Sequence, residues 1–160
     1  MDTFLLFDYT HWLVIHLVGV VLFVGNVTVT AVWKVFADRT HHPATIAFAQ
    51  RLVTYTDWVF TFGGVVLVLV SGIALMILGG WWTAGAAWLW WGIGLFVVAG
   101  LMWLVVLIPI QIRQARMALR FEQDGEVPPA YRRLALRWLW VGIVATGLAA
   151  VNLYLMIAKP

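Results

Sequence analysis

The chain has 160 residues, 64% of them hydrophobic and 11% charged, with a mean hydropathy of +0.96. An 18.0 kDa water-soluble core cannot hide that much apolar surface, so the bilayer is the natural solvent. The lack of cysteine excludes disulfides, thiolate metal sites, iron–sulfur clusters and cysteine nucleophiles, and the net charge of +3 does not point to nucleic acid, because the basic residues cluster at the ends of apolar runs.

The N-terminal stretch MDTFLLFDYTH carries Asp2 and Asp8 but no Lys or Arg, and no small-x-small site follows a short core. The first apolar run is therefore expected to be retained rather than cleaved as a signal peptide. That run, about residues 11–33, is long enough to cross a bilayer and contains His16. An ionisable group at that depth faces a bundle interior, a cavity or a cofactor. At about 100° per residue, His16 shares one helix side with Gly19, Phe23, Thr30 and Lys34, with Asn26 at its margin. The opposite side, Leu17, Val21, Val24, Thr28 and Val32, is almost wholly aliphatic and is expected to face lipid.

A link with a His41-His42-Pro43 turn and a short proline-started helix leads to a second span, about residues 58–78. The uncharged link GGWWTAGAA leads to a third, about residues 88–110. The third helix is expected to run on beyond the membrane and break at Asp124-Gly125 and Pro128-Pro129, before a fourth span at about residues 138–157. The sequence thus predicts a single all-α domain over residues 1–160, an antiparallel four-helix bundle in the membrane.

Of the ten Lys and Arg residues, nine lie in the first and third links and only Lys159 lies at the other end. The positive-inside rule then places both termini outside and the two long links in the cytoplasm. Trp12, Trp81, Trp82 and Trp88 fall at one interface and Trp33, Trp58 and Trp138 at the other, as aromatic belts do. Trp90, Trp91 and Trp103 lie deeper, where they could pack on a planar ligand.

Among groups able to carry chemistry, His16 comes first. Ser71, Gly72, Met76, Trp91, Gly92, Thr146, Asn152 and Met156 fall in the same half of the bundle. Imidazole commonly ligates haem iron, and a thioether, Met76 or Met156, is a possible second axial ligand. The alternative is a histidine bonded to Asn152, Ser71 or a carbonyl, tying helices together. Gly19 fits either close helix packing or room for a flat macrocycle. The chain cannot build a two-haem wire alone, since His41 and His42 lie a membrane thickness away and His11 sits at the interface; a single haem could take Met, water or a second protomer's histidine as its other ligand. Arg51 and Asp57 flank the start of the second span and are expected to pair with Lys34 or Arg137. Arg113, Arg116 and Arg120 form one basic face, read as attraction to anionic lipid, with recognition of a carboxylated substrate as the alternative. No Ser/His/Asp set, phosphate loop or paired intramembrane carboxylates appear.

The strings VIHLVGVVLFVGN, ADRT, RLVTYTDWVFT, VLIPIQIRQARMA and YRRLALRW and the ending AKP resemble a bacterial family of predicted four-helix integral membrane proteins of unknown function. More distantly, the layout is similar to HemJ-type membrane protoporphyrinogen oxidases and CopD-like proteins. His16, Arg51-Leu52 and Lys159-Pro160 stand at positions matching the haem-ligating histidine, Arg-Leu pair and Lys-Pro of the HemJ type. The HemJ Pro-Arg-Leu run and its Tyr-His in the third helix are missing; VTVTAVWK and LIPIQ stand there.

The resemblance implies a bacterial inner-membrane protein, a homo-oligomer, that binds haem b through His16. Gly19, Phe23, Trp91 and Asn152 would lie beside the cofactor, and Arg51 or the third-link arginines would meet acidic groups of a porphyrin or quinone-like molecule. Whether it is a HemJ-like oxidoreductase is left open. The alternative is a non-catalytic assembly partner or small transporter with His16 in a structural role. A copper-handling version would use His11, His16 or the methionines, and the absence of cysteine and of a methionine cluster weakens it.

Overall fold

Asp8 starts the first helix: its carboxylate accepts the His11 backbone N–H at 3.0 Å and lies 2.7 Å from the His11 ring, contacts that hold its pKa below the usual carboxylate range. From there the computed structural model, which describes residues 8–82 and 85–160, runs through four antiparallel helices. They are α1 (Tyr9–Arg39), α2 (Pro43–Leu78), α3 (Ala87–Asp124) and α4 (Pro129–Ala158), with no strand among the described residues. Each is long and apolar enough to cross a membrane. The protein is a multi-pass integral membrane four-helix bundle. Asp2, cited above for the N-terminal segment, and Thr83 and Ala84 of the second link lie outside the described residues.

The links are shorter than the apolar runs suggest, because helix extends through them. Pro43 opens α2, as expected, but the helix it starts does not stop before the second span; it continues to Leu78. At the other long link α3 ends at Gly125, whose φ of +77° a glycine adopts freely, and Pro129 restarts the chain as α4.

Two of the helices are irregular. α2 winds as π-helix over Asp57–Phe62 and α3 over Trp103–Leu107. The second has a local cause. Pro109 has no N–H to give residue 105, and its ring would crowd that carbonyl, so the i→i−4 ladder breaks and a wider turn absorbs the mismatch. Gly63 and Gly64 follow the first.

Burial on α1 follows the stripe. Gly19, Thr30 and Lys34 are buried, His16, Phe23 and Asn26 are half-buried, and Val21 on the far side is 70% exposed. The packed core lies toward the basic end, where Ile46, Ala47, Ala118, Phe121, Val127 and Tyr131 form one cluster and Val53, Leu107 and Trp138 another. Toward the end that carries the termini the bundle loosens into pairs. There α1 packs on α2 and Ala87–Met102 of α3 packs on α4, whereas Gly63–Leu78 and Ala87–Met102 do not pack closely together.

The α1–α2 contact is close because both helices offer glycine. A Cβ built on Gly19 would lie 2.9 Å from Leu67 Cβ and 3.0 Å from the Gly64 carbonyl oxygen. One on Gly64 would lie 2.8 Å from both the Gly19 carbonyl oxygen and the Phe23 nitrogen. Small residues let two backbones approach in this way.

Candidate functional site

His16 sits one turn before that crossing, and α2 holds its ring. Nδ1 of His16 lies 3.1 Å from Ser71 Oγ. Ser71 donates its own proton to the Leu67 carbonyl, with the Val68 carbonyl 3.5 Å from the same hydroxyl. A carbonyl can only accept, so with the hydroxyl proton on the Leu67 carbonyl, Ser71 Oγ is placed to accept from His16 Nδ1–H. In that tautomer of the neutral imidazole, Nε2 is the lone-pair nitrogen. Gly72 makes room for the ring: a Cβ there would lie 3.4 Å from His16 Cε1.

The other residues expected beside His16 divide. Gly19 and Phe23 are taken up by the α1–α2 crossing, so Gly19 serves close packing there. Asn152 is half-buried on α4 against α3; its Oδ1 has no hydrogen-bond partner among the described residues and would lie 2.8 Å from a Cβ on Gly92, with the Met156 methyl at the same spot. Met76 is half-buried on α2. Trp91 is 71% exposed and points outward. Arg51 is at the basic end, ion-paired with Glu122 at 2.6 Å. No group of three or more His, Asp or Glu able to hold a metal gathers among the described residues, and His11 is engaged with Asp8. At the terminal end Trp81 and Trp88 meet edge to face, and the Lys159 ammonium lies 4.9 and 5.4 Å from their ring centroids.

The expected pairing of Arg51 and Asp57 with Lys34 or Arg137 does not occur. Lys34, buried, reaches Asp38 at 2.6 Å and donates to the Tyr131 hydroxyl at 2.8 Å; that hydroxyl donates on to Gln50 Oε1. A helical i, i+4 partner on its own chain captures Lys34 first. Arg51 grips both carboxylate oxygens of Glu122, whose pKa is held below the usual range by that guanidinium.

Asp57 is the group that sequence reasoning misplaced. It is 6% exposed and opens the π turn of α2. Its Oδ1 accepts from Asn26 Nδ2 at 3.0 Å and Thr61 Oγ1 at 2.9 Å, and its Oδ2 accepts from Gln111 Nε2. Thr30 donates to Asn26 Oδ1, completing a polar knot that links α1, α2 and α3. The signal was half present: Asn26 and Thr30 belong to the polar stripe of α1, but nothing local marks Gln111 as their partner. A cavity of about 140 Å³ borders the knot, lined by Thr54, Asp57, Trp58, Trp103, Gln111 and two isoleucines.

The chain belongs to the family described as predicted integral membrane protein (DUF2269), whose model matches residues 11–160. No curated protein and no solved structure matches it.

Proposed function

We propose that this family member is a haem-binding redox protein of the bacterial inner membrane, with one b-type haem ligated by His16 Nε2. The observation that carries the reading is the placement of Ser71 Oγ 3.1 Å from His16 Nδ1, which favours the tautomer with Nδ1–H and leaves Nε2 free to ligate. Metal-bound histidines are oriented in this way by an outer hydrogen bond on the second nitrogen. The unpartnered Asn152 Oδ1 and the loose contact between the α1–α2 and α3–α4 pairs at that end fit the same reading, because both leave an interior without its full complement of partners. The distant likeness of layout to HemJ-type proteins belongs to this proposal, as does a homo-oligomer.

Haem would supply one-electron chemistry. The chain's own residues orient the ligand: Ser71 fixes the ring and Gly72 clears its edge. The activity is electron transfer, or oxidation of a small lipophilic substrate of porphyrin or quinone type. Arg51 is left out of substrate binding because Glu122 already holds it. The test is haem content per chain after purification from haem-replete cells, wild type against His16→Ala. Stoichiometric haem lost in the variant supports the reading.

One observation favours a second reading. The Gly19–Gly64 crossing lies beside His16, so the His16–Ser71 bond could be a helix-to-helix tie in a non-catalytic assembly partner or small transporter. A colourless wild type, with His16→Ala lowered in stability, would select it.

A further inference from the structure

The cavity beside Asp57 lies toward the basic end, away from His16, and its chemistry is different. Asp57 is a buried carboxylate whose hydrogen-bond partners, Asn26, Thr61 and Gln111, are all uncharged. The Trp103 indole lines the same cavity. Such donors stabilise a carboxylate without neutralising it, and an isolated buried charge is costly unless an opposite charge joins it. Among the described residues no cation does so: Lys34 is bound to Asp38 and Arg51 to Glu122.

The lining says which kind of cation fits. Both amides turn their N–H groups, not their carbonyls, toward the carboxylate, so the ring of oxygens that a hard metal ion requires is missing. The walls are instead two indoles and two isoleucines, Ile108 and Ile112. Indole faces attract organic cations, and a carboxylate backed by tryptophans is how proteins hold ammonium heads. The space, about 140 Å³, admits a group of several heavy atoms. Trp58 and Ile112, on the rim, are 58% and 46% exposed on the lipid-facing surface, next to Arg113, where the apolar run ends and headgroups begin.

We propose that this cavity binds an alkylammonium group, with Asp57 as its counter-ion and Trp58 and Trp103 as its walls. The amine head of a zwitterionic lipid and a small free amine share this chemistry.

Native mass spectrometry of the full chain in detergent separates the two sources. Wild type, Asp57→Asn and Trp58→Leu would each be titrated with phosphatidylethanolamine, phosphatidylglycerol and free ethanolamine. The expected result is one phosphatidylethanolamine retained by wild type, at least tenfold weaker retention in both variants, and phosphatidylglycerol binding that neither variant changes. If millimolar ethanolamine competes, the site takes free amines too; if it does not, the amine must arrive on a lipid. Retention of phosphatidylethanolamine and ethanolamine that is equal in wild type and variants, or absent from all, overturns the proposal. Should Asp57→Asn fail to fold, Trp58→Leu decides alone, because Trp58 is 58% exposed, meets Phe62 edge to face and takes no part in the polar knot.

Discussion

Asp57 and Gln111, 54 residues apart in sequence, join α2 to α3 by a hydrogen bond where each helix departs from regular winding nearby. The π turn of α2 begins at Asp57, and that of α3 ends four residues before Gln111. π turns recur at functional positions because they re-aim side chains that a regular helix would point elsewhere. Here they accompany a buried carboxylate, its amide partners and a cavity.

Gln111→Leu removes a donor to Asp57 and leaves a buried carboxylate oxygen short of a partner. The expected loss is about 1–3 kcal/mol. Denaturation in detergent, followed by far-UV circular dichroism, checks it. A variant as stable as wild type would mean that the bond carries no net stability.

Gly19→Ala is expected to destabilise by about 1–3 kcal/mol, since its methyl would press on Leu67 and the Gly64 carbonyl and push α1 from α2. Gly142→Ala, where a Cβ meets nothing within 4 Å, is the control. It should be neutral or stabilising by up to about 1 kcal/mol through helix propensity. The same denaturation experiment ranks the pair.

Tyr131→Phe deletes the hydroxyl that accepts from Lys34 and donates to Gln50. A loss of roughly 1–3 kcal/mol follows from leaving those buried groups short of partners. Lys34→Met should be milder than an ordinary buried-pair break, because Asp38 keeps contact with water.

The Arg51–Glu122 pair gives a pH dependence whose sign is set by Glu122. Its folded-state pKa lies below the ordinary value of 4.5, so its stabilising contribution is complete above about pH 4.5 and fades as pH falls through the lowered value. Arg51 is exposed and Glu122 only half-buried, so the effect is small and salt-sensitive. Wild type and Glu122→Gln should differ slightly at pH 7 and low salt, and converge in acid or at high salt.

Much of this arrangement could be read from the chain. The four spans, the break at Asp124-Gly125 and the inward stripe of α1 all follow from patterns local to one helix, and local patterns survive folding. Pro109 carried a trace of the π turn in α3. The polar knot was hidden for the opposite reason: Asn26, Thr61 and Gln111 come from three helices, and which carboxylate they meet depends on rotation and register. Asp57, beside Arg51 in sequence, invited an ion-pair reading that the helical i, i+4 reach of Lys34 and the geometry of Glu122 pre-empt. Gly19 fitted two readings until Gly64 was seen against it.

The most direct test of the haem proposal is a reduced-minus-oxidised absorption spectrum of the purified protein, taken beside His16→Ala and Ser71→Ala. A Soret band with sharp reduced α and β bands is expected, abolished in His16→Ala and shifted in Ser71→Ala, where the ring loses its orienting acceptor. Bands identical in all three proteins, or a colourless wild type from haem-replete cells, would contradict ligation by His16.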